Sequence, residues 1–343
     1  MRITRWLRGI VPALALAAPL SAFAQGELVV YCTVQEEWCR PMVAAFEKAT
    51  GIKVLMTRKS SGEFYAQIKA ESANPKGDIW WGGTGDPHLQ AAEEGLTEPY
   101  KSPKLGELND WAVRQWDASK GRTVGVYAGA LGYSYNDDQL KKKNIPAPKC
   151  WADLTKPAFK DEIQVANPNS SGTSYTMLAT LVQLMGEDKA FEYLKALHKN
   201  INQYTKSGAA PARAAATGES MVGITFQHDA VVQKVAGAPV TIVSPCEGTG
   251  YEIGSMSIIK GAKNMDNAKK WYDWALSPEA QNIGPAAKVS YQVPSNKNAT
   301  PPPGSPKLSE IKLINYDFVK YGSSAERTRL LAKWDKEVST LPK

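Results

Sequence analysis

ELVVY at residues 27–31, IKVLM at 52–56 and DIWW at 78–81 are three short apolar runs, rich in β-branched and aromatic residues, and the chain between them decides the fold. Runs of this length and composition fit buried strands. Between the first two lies a helix with Trp38, Met42, Ala45, Phe46 and Ala49 on one face, stopped by Gly51. SSGEF at 60–64 starts the next helix, with serines able to cap it and Glu63 in its first turn. The third run ends in Gly82-Gly83-Thr84-Gly85, and a further helix passes through Leu89 and Ala92 to Gly95. This β-α-β-α-β-α alternation specifies an α/β fold, a parallel sheet with helices on both faces. Such sheets bind ligands at the carboxyl ends of their strands, where these loops lie.

A second α/β set follows. Residues 125–136, GVYAGALGYSYN, read as extended chain with glycine joints, a candidate crossover into another domain. Strands are expected at 163–166, 221–226, 240–243 and 253–259, with helices between them. A helix through Ala268, Trp271, Trp274 and Ala275 precedes a polar, proline-rich loop at 293–306. The last amphipathic helix carries Leu330, Leu331, Trp334 and Val338. A length of 343 residues fits two domains, and 43% hydrophobic with 22% charged residues excludes extended disorder, collagen and coiled coil.

The first 24 residues read as a secretion signal: basic MRITRWLR, apolar GIVPALALAAPLSA, then Ala22-Phe23-Ala24 before Gln25. The apolar stretch is short for a membrane anchor, which is the alternative reading. Removing 24 residues from 343 leaves 319, and the loss of Arg2, Arg5 and Arg8 takes the net charge from +7 to +4. That mild excess, with no basic and aromatic face, gives no argument for nucleic acid. The mature chain is expected in the periplasm.

Export makes the cysteines readable. Cys32, Cys39, Cys150 and Cys246 form an even set in an oxidising compartment, which favours disulfides. Three connectivities are open. Cys32 and Cys39 flank a strand-to-helix turn, so a local bridge is preferred there, leaving Cys150 with Cys246. A metal site is the competing reading, but neither C-x-x-C nor a suitably spaced His accompanies them.

VVYCTVQEEW, FEKATGIKV, SSGE, DIWWGG, YSYN near 135, SGAAPARAAATGE at 207–219 and LSPEAQ at 276–281 together resemble the solute-binding proteins of ABC importers. They are similar to the branch that holds ferric-ion binders and binders of phosphorylated sugars. The resemblance implies a periplasmic-binding-protein-like fold: two doubly wound lobes joined by a hinge of crossover strands, closing over one ligand. Lobe 1 would take residues 25–125 plus about 248–289, and lobe 2 residues 126–247 plus about 290–343. A membrane permease would be the partner of the closed form.

Ferric-ion binders of this family carry two adjacent tyrosines after the strand that follows the SG…A.GE helix. Here that strand is VGITF, and Gln227-His228-Asp229 comes next; no Tyr-Tyr pair exists in the chain. The three histidines show no metal spacing either, so no metal is expected. His228-Asp229 instead resembles the hexose-6-phosphate binders, where a His-Asp pair and a later Glu, here Glu252, hold sugar hydroxyls. Carboxylates accept hydroxyl hydrogens and imidazole donates or accepts, so the set is chemically apt. A plainer reading makes His228 and Asp229 caps of the following helix, and Glu252 an ordinary solvated glutamate.

A phosphate needs donors. Ser60-Ser61-Gly62 and Ser170-Ser171-Gly172-Thr173-Ser174 each precede a helix and offer hydroxyls plus free N–H groups at the positive end of its dipole. Gly83-Thr84-Gly85 lets backbone approach a ligand, Lys206-Ser207-Gly208 starts a further helix, and Arg58 stands just before SSGE. Helix capping without a ligand is the alternative for each. Ser61, Thr84, Ser171, Gly172 and Thr173 are the candidate phosphate contacts; His228, Asp229 and Glu252 are the candidate hydroxyl contacts. Trp80, Trp81, Tyr127 and Tyr133 are candidate stacking aromatics, although Trp80 and Trp81 cannot share one strand face. No P-loop, nucleophile elbow, H-E-x-x-H or dinucleotide fingerprint is present, so neither catalysis nor a cofactor is expected. The expected role is capture of a hexose phosphate for import. An aminophosphonate, an organic anion, a polyamine or ferric ion on the same fold is the alternative.

Overall fold

The computed structural model describes residues 26–342. The secretion signal expected at 1–24 lies outside them. Among the described residues no helix is long and apolar enough to cross a membrane.

The apolar runs become strands where expected: β1 Glu27–Cys32, β2 Lys53–Arg58 and β3 Ile79–Trp81. β4 Thr97–Glu98 follows, then β5 Val124–Asn136, β6 Ile163–Ala166, β7 Ile201–Thr205, β8 Val222–Phe226, β9 Val240–Val243, β10 Tyr251–Ile259 and β11 Val293–Pro294. They join in the order β2-β1-β3-β10-β5-β8-β6-β7, with β4 added to β10 and both β9 and β11 added to β5. Two parallel units stand at the ends, β2-β1-β3 and β8-β6-β7. Antiparallel β10 and β5 lie between them. β5 is buried along its whole length. Its first half pairs with β10, and Leu131–Tyr135 pair with β8. It is the expected crossover, and β10 is the way back.

Each unit has its own core. The first gathers Leu28, Val30, Met42, Phe46, Trp81 and Trp271; the second gathers Leu131, Trp151, Ile163, Tyr175, Leu194 and Trp334. Trp80 turns to the opposite face of β3 from Trp81 and joins Tyr31 and Phe64, so both faces of the first sheet are covered. The helix Glu36–Thr50 buries Trp38, Met42 and Phe46 and ends at Gly51 with φ 70°, while Ala49 faces solvent. β11 and Asn296 still bond to β5 and to Leu276 on the first core. The return to the second core therefore falls later than about 290, near Ile314 and Tyr316.

Both preferred disulfides form, Cys32–Cys39 and Cys150–Cys246. The first fastens the end of β1 to the helix that follows. The second closes 96 residues of sequence, the kind of long loop whose closure removes most entropy from the unfolded chain.

Candidate ligand-binding site

The loops at the carboxyl ends of β1, β2, β3, β6, β7 and β8 meet around one cavity. Ser61, Thr84, Ser171, Gly172, Thr173, His228, Asp229 and Glu252 all line it. Sequence reasoning thus brings its candidates to one place, from two parallel units that are far apart in the chain.

One end is built from helix starts. The helices Ser61–Ala70, Gly85–Glu93, Gly172–Met185 and Ala210–Thr217 all begin at its wall. The four helix dipoles make this end electropositive. Ser61, Thr84 and Ser171 are buried there, and Thr84 Oγ1 has no hydrogen-bond partner among the described residues. Such an orphan hydroxyl costs about 1–3 kcal/mol unless something in the cavity meets it. Gly172 allows this crowding: a Cβ there would lie 1.8 Å from Thr84 Oγ1, so no other residue admits the helix so near. Arg58 is the cationic side chain of the lining; its Nε donates to Val34 O at 3.0 Å and Nη2 to Ser207 Oγ at 3.3 Å. Lys206 does not supply charge here. Its side chain is exposed, and its carbonyl accepts from Ser60 Oγ and Ser170 Oγ, both at 3.1 Å.

The other end is titratable. The helix Gln227–Val235 takes Phe226 as its N-cap with no side-chain cap bond, so His228 and Asp229 are not its caps. Asp229 instead accepts from Thr225 Oγ1 at 3.1 Å and from Gln35 Nε2. His228 Nε2 stands 3.8 Å from Asp229 Oδ1 and 3.7 Å from Glu252 Oε1, too far for hydrogen bonds. His228 Nδ1 has no hydrogen-bond partner among the described residues, and all three side chains are buried. Burial pulls the imidazole down to about 3 and pushes the Asp229 carboxyl up to about 6. Burial, then the Asp229 and Asp86 charges, hold Glu252 well above the carboxylate range. At neutral pH His228 is therefore a neutral imidazole beside the Asp229 carboxylate, and the two form no ion pair.

The two units touch across this cavity. Gly62 N donates to Ser170 O at 2.9 Å, and at the rim Arg213 meets Glu37 at 3.3 Å. Of the four aromatics singled out, Tyr127 faces the cavity. Trp80 stacks on His88, Trp81 meets Trp38, and Tyr133 meets Trp151 within the second core. Sequence reasoning missed Gln35 and Gln292. Gln35 lies just past β1, the same strand-end position that marked the other loops; Gln292 carries no such signal.

The model of the family described as bacterial extracellular solute-binding protein matches residues 75–321, more than half of the chain. An uncharacterised protein of Haemophilus influenzae is 47% identical over 328 residues, covering 95% of this chain and 94% of its own. The solved periplasmic binding protein AfuA of Actinobacillus pleuropneumoniae, with exogenous fructose 6-phosphate bound, is 48% identical with a TM-score of 0.90. It covers 92% of this chain and 100% of that one. The periplasmic binding protein P5PA is 42% identical at a TM-score of 0.89 over the same shares. This chain therefore belongs to the bacterial extracellular solute-binding proteins.

Proposed function

We propose that the protein is the periplasmic binding component of an ABC importer and captures a hexose phosphate by closing two lobes over it. Residues 26–125 with about 248–299 make one lobe, and the remainder of the described chain makes the other. The observation that carries the reading is the pairing of two unlike ends in one cavity. Helix starts with an orphan hydroxyl and one arginine lie at one end, and three buried, mutually unbonded hydroxyl partners lie at the other. Ser61, Thr84, Ser171, Gly172, Thr173 and Arg58 hold the phosphate, whose charge the four dipoles and the guanidinium balance. Asp229 and Glu252 accept from sugar hydroxyls, and His228 donates or accepts as the hydroxyl needs. Contacts made only when the lobes meet shift the hinge toward closure, and the closed surface is what a permease reads. The fructose 6-phosphate held by AfuA supports the ligand class.

A thermal-shift panel of ligand-stripped protein tests this. It contains glucose 6-phosphate, fructose 6-phosphate, glucose, inorganic phosphate, 2-aminoethylphosphonate, spermidine and ferric citrate. A ligand at a hundred times its Kd adds about 2.7 kcal/mol of stability. A hexose phosphate is expected to shift melting strongly and glucose not at all. A shift by spermidine, the aminophosphonate or ferric citrate alone overturns the assignment of both ends.

A further inference from the structure

Tyr127 stands on β5 and lines the cavity. Its hydroxyl accepts from Gly83 N at 2.7 Å, which ties it to the helix starts. The Glu252 and Asp229 charges also act on it. A phenol that accepts one hydrogen bond still carries its own hydrogen, and no described residue accepts it. Burial, followed by those two carboxyl groups, keeps that proton on, so the hydroxyl is a standing donor.

The sheet is shaped around this ring. A Cβ on Gly254 would lie 1.9 Å from it, and the β10–β5 pairing shifts register between Gly254 and Ser255. A register break of this kind interrupts the ladder locally and re-aims what stands beside it. Trp38 holds the ring from another side, with centroids 5.3 Å apart.

We propose that Tyr127 is a specificity-determining residue: it donates its hydroxyl hydrogen to an oxygen on the sugar portion of the ligand and so fixes the spacing between phosphate and hydroxyl ends. The inference rests on the hexose-phosphate reading. Held rigidly against Gly83, the donor favours ligands that place an acceptor beside the phosphate site and gains nothing from inorganic phosphate, which ends there.

The experiment compares the intact protein with Tyr127→Phe, which keeps the ring against Gly254. Calorimetry measures fructose 6-phosphate binding, competition measures inorganic phosphate binding, and melting of the ligand-free proteins reports the fold. The expected result is about a tenfold loss of fructose 6-phosphate affinity, the worth of one donor at a buried oxygen, with phosphate affinity changed less than about twofold. An unchanged fructose 6-phosphate affinity overturns the proposal. So does an equal loss for both ligands, which would make Tyr127 a support for Gly83 and nothing more. Failure of the unaltered protein to bind any hexose phosphate is a different result, and it overturns the functional reading together with this one.

Discussion

Two clusters in this molecule bury ionisable groups completely, and they differ in what meets those groups. In the cavity, His228 stands 3.8 Å from Asp229 and 3.7 Å from Glu252 without a hydrogen bond to either. Behind it, Asp86 accepts from Thr176 Oγ1 and from Tyr316 OH, each at 3.3 Å. Arg327 donates to Gln90 at 2.7 Å and lies over the rings of Tyr175 and Tyr65 at 4.9 and 5.5 Å. Burial pushes Asp86 up to about 6, and the Arg327 charge restrains the rise. The second cluster joins the helix Gly85–Glu93 to the helix Ser324–Trp334 and has its countercharge built in. Burial of charge is thus no mark of a ligand site by itself. Nor is an unmet polar atom, since Arg327 Nε and Nη2 also lack hydrogen-bond partners among the described residues; the first cluster differs because its groups line a cavity.

The comparison breaks most visibly at Arg327. Breaking a contacting buried charge pair typically costs about 3–5 kcal/mol, and Arg327 acts on Asp86 through its charge with no ion pair between them among the described residues. Arg327→Met is expected near the lower end, because Asp86 already tends toward its neutral form. Urea unfolding should show that loss while calorimetry finds hexose-phosphate affinity little changed. Collapse of affinity with stability intact would place Arg327 in the binding machinery instead. Truncation in the cavity should do the reverse. His228→Ala and Glu252→Ala are each expected to weaken hexose-phosphate binding by about 1–3 kcal/mol, since a ligand hydroxyl loses its partner in a dry site. Ligand-free stability should hold or rise, because each change removes a buried polar group that lacked a partner. Full affinity in either variant would sink the hydroxyl assignment.

Much of this arrangement was legible because it rests on local chemistry. Strands such as Ile163–Ala166 and Val240–Val243 are short β-branched runs, and the helix starts at Ser61 and Ser171 carry small hydroxyl residues. The adjacent pair His228-Asp229 was singled out by the family resemblance, which the readable strand before it served to align. β7 was not legible: in Ile201-Asn202-Gln203-Tyr204-Thr205 the apolar signal is thin, since it is the edge of the sheet and shows Gln203 to solvent. Gln292 was hidden for another reason. Its place at the cavity depends on how the chain packs around it, and no local pattern encodes that. The crowding of Gly172 against Thr84 is of the same kind, for 88 positions separate two residues that fit only as a pair.

The smallest expected effect is also the sharpest test that the cavity cluster is dry. Asp229 is pushed up to about 6 from an ordinary 3.8, so between those values the folded chain holds a proton that the unfolded chain has lost. Its contribution to stability is fully present below 3.8 and is lost as pH rises through about 6. His228 is pulled down to about 3 from 6.5, so the unfolded chain takes up a proton that the folded chain refuses. Its contribution is present above 6.5 and falls away as pH drops toward 3. Each term has a slope of up to about 1.4 kcal/mol per pH unit, with opposite signs between pH 6 and 4. Asp229→Asn removes the first and should lose stability on acidification faster than the unaltered protein. His228→Ala removes the second and should gain relative to it. Asp86, with a similar upward push, is common to all three proteins and drops out of the comparison. Urea melts at pH 6, 5 and 4 give the slopes. Parallel lines for the three proteins would mean that water reaches both groups, and the distinction between the cavity cluster and an ordinary wet cleft would be lost.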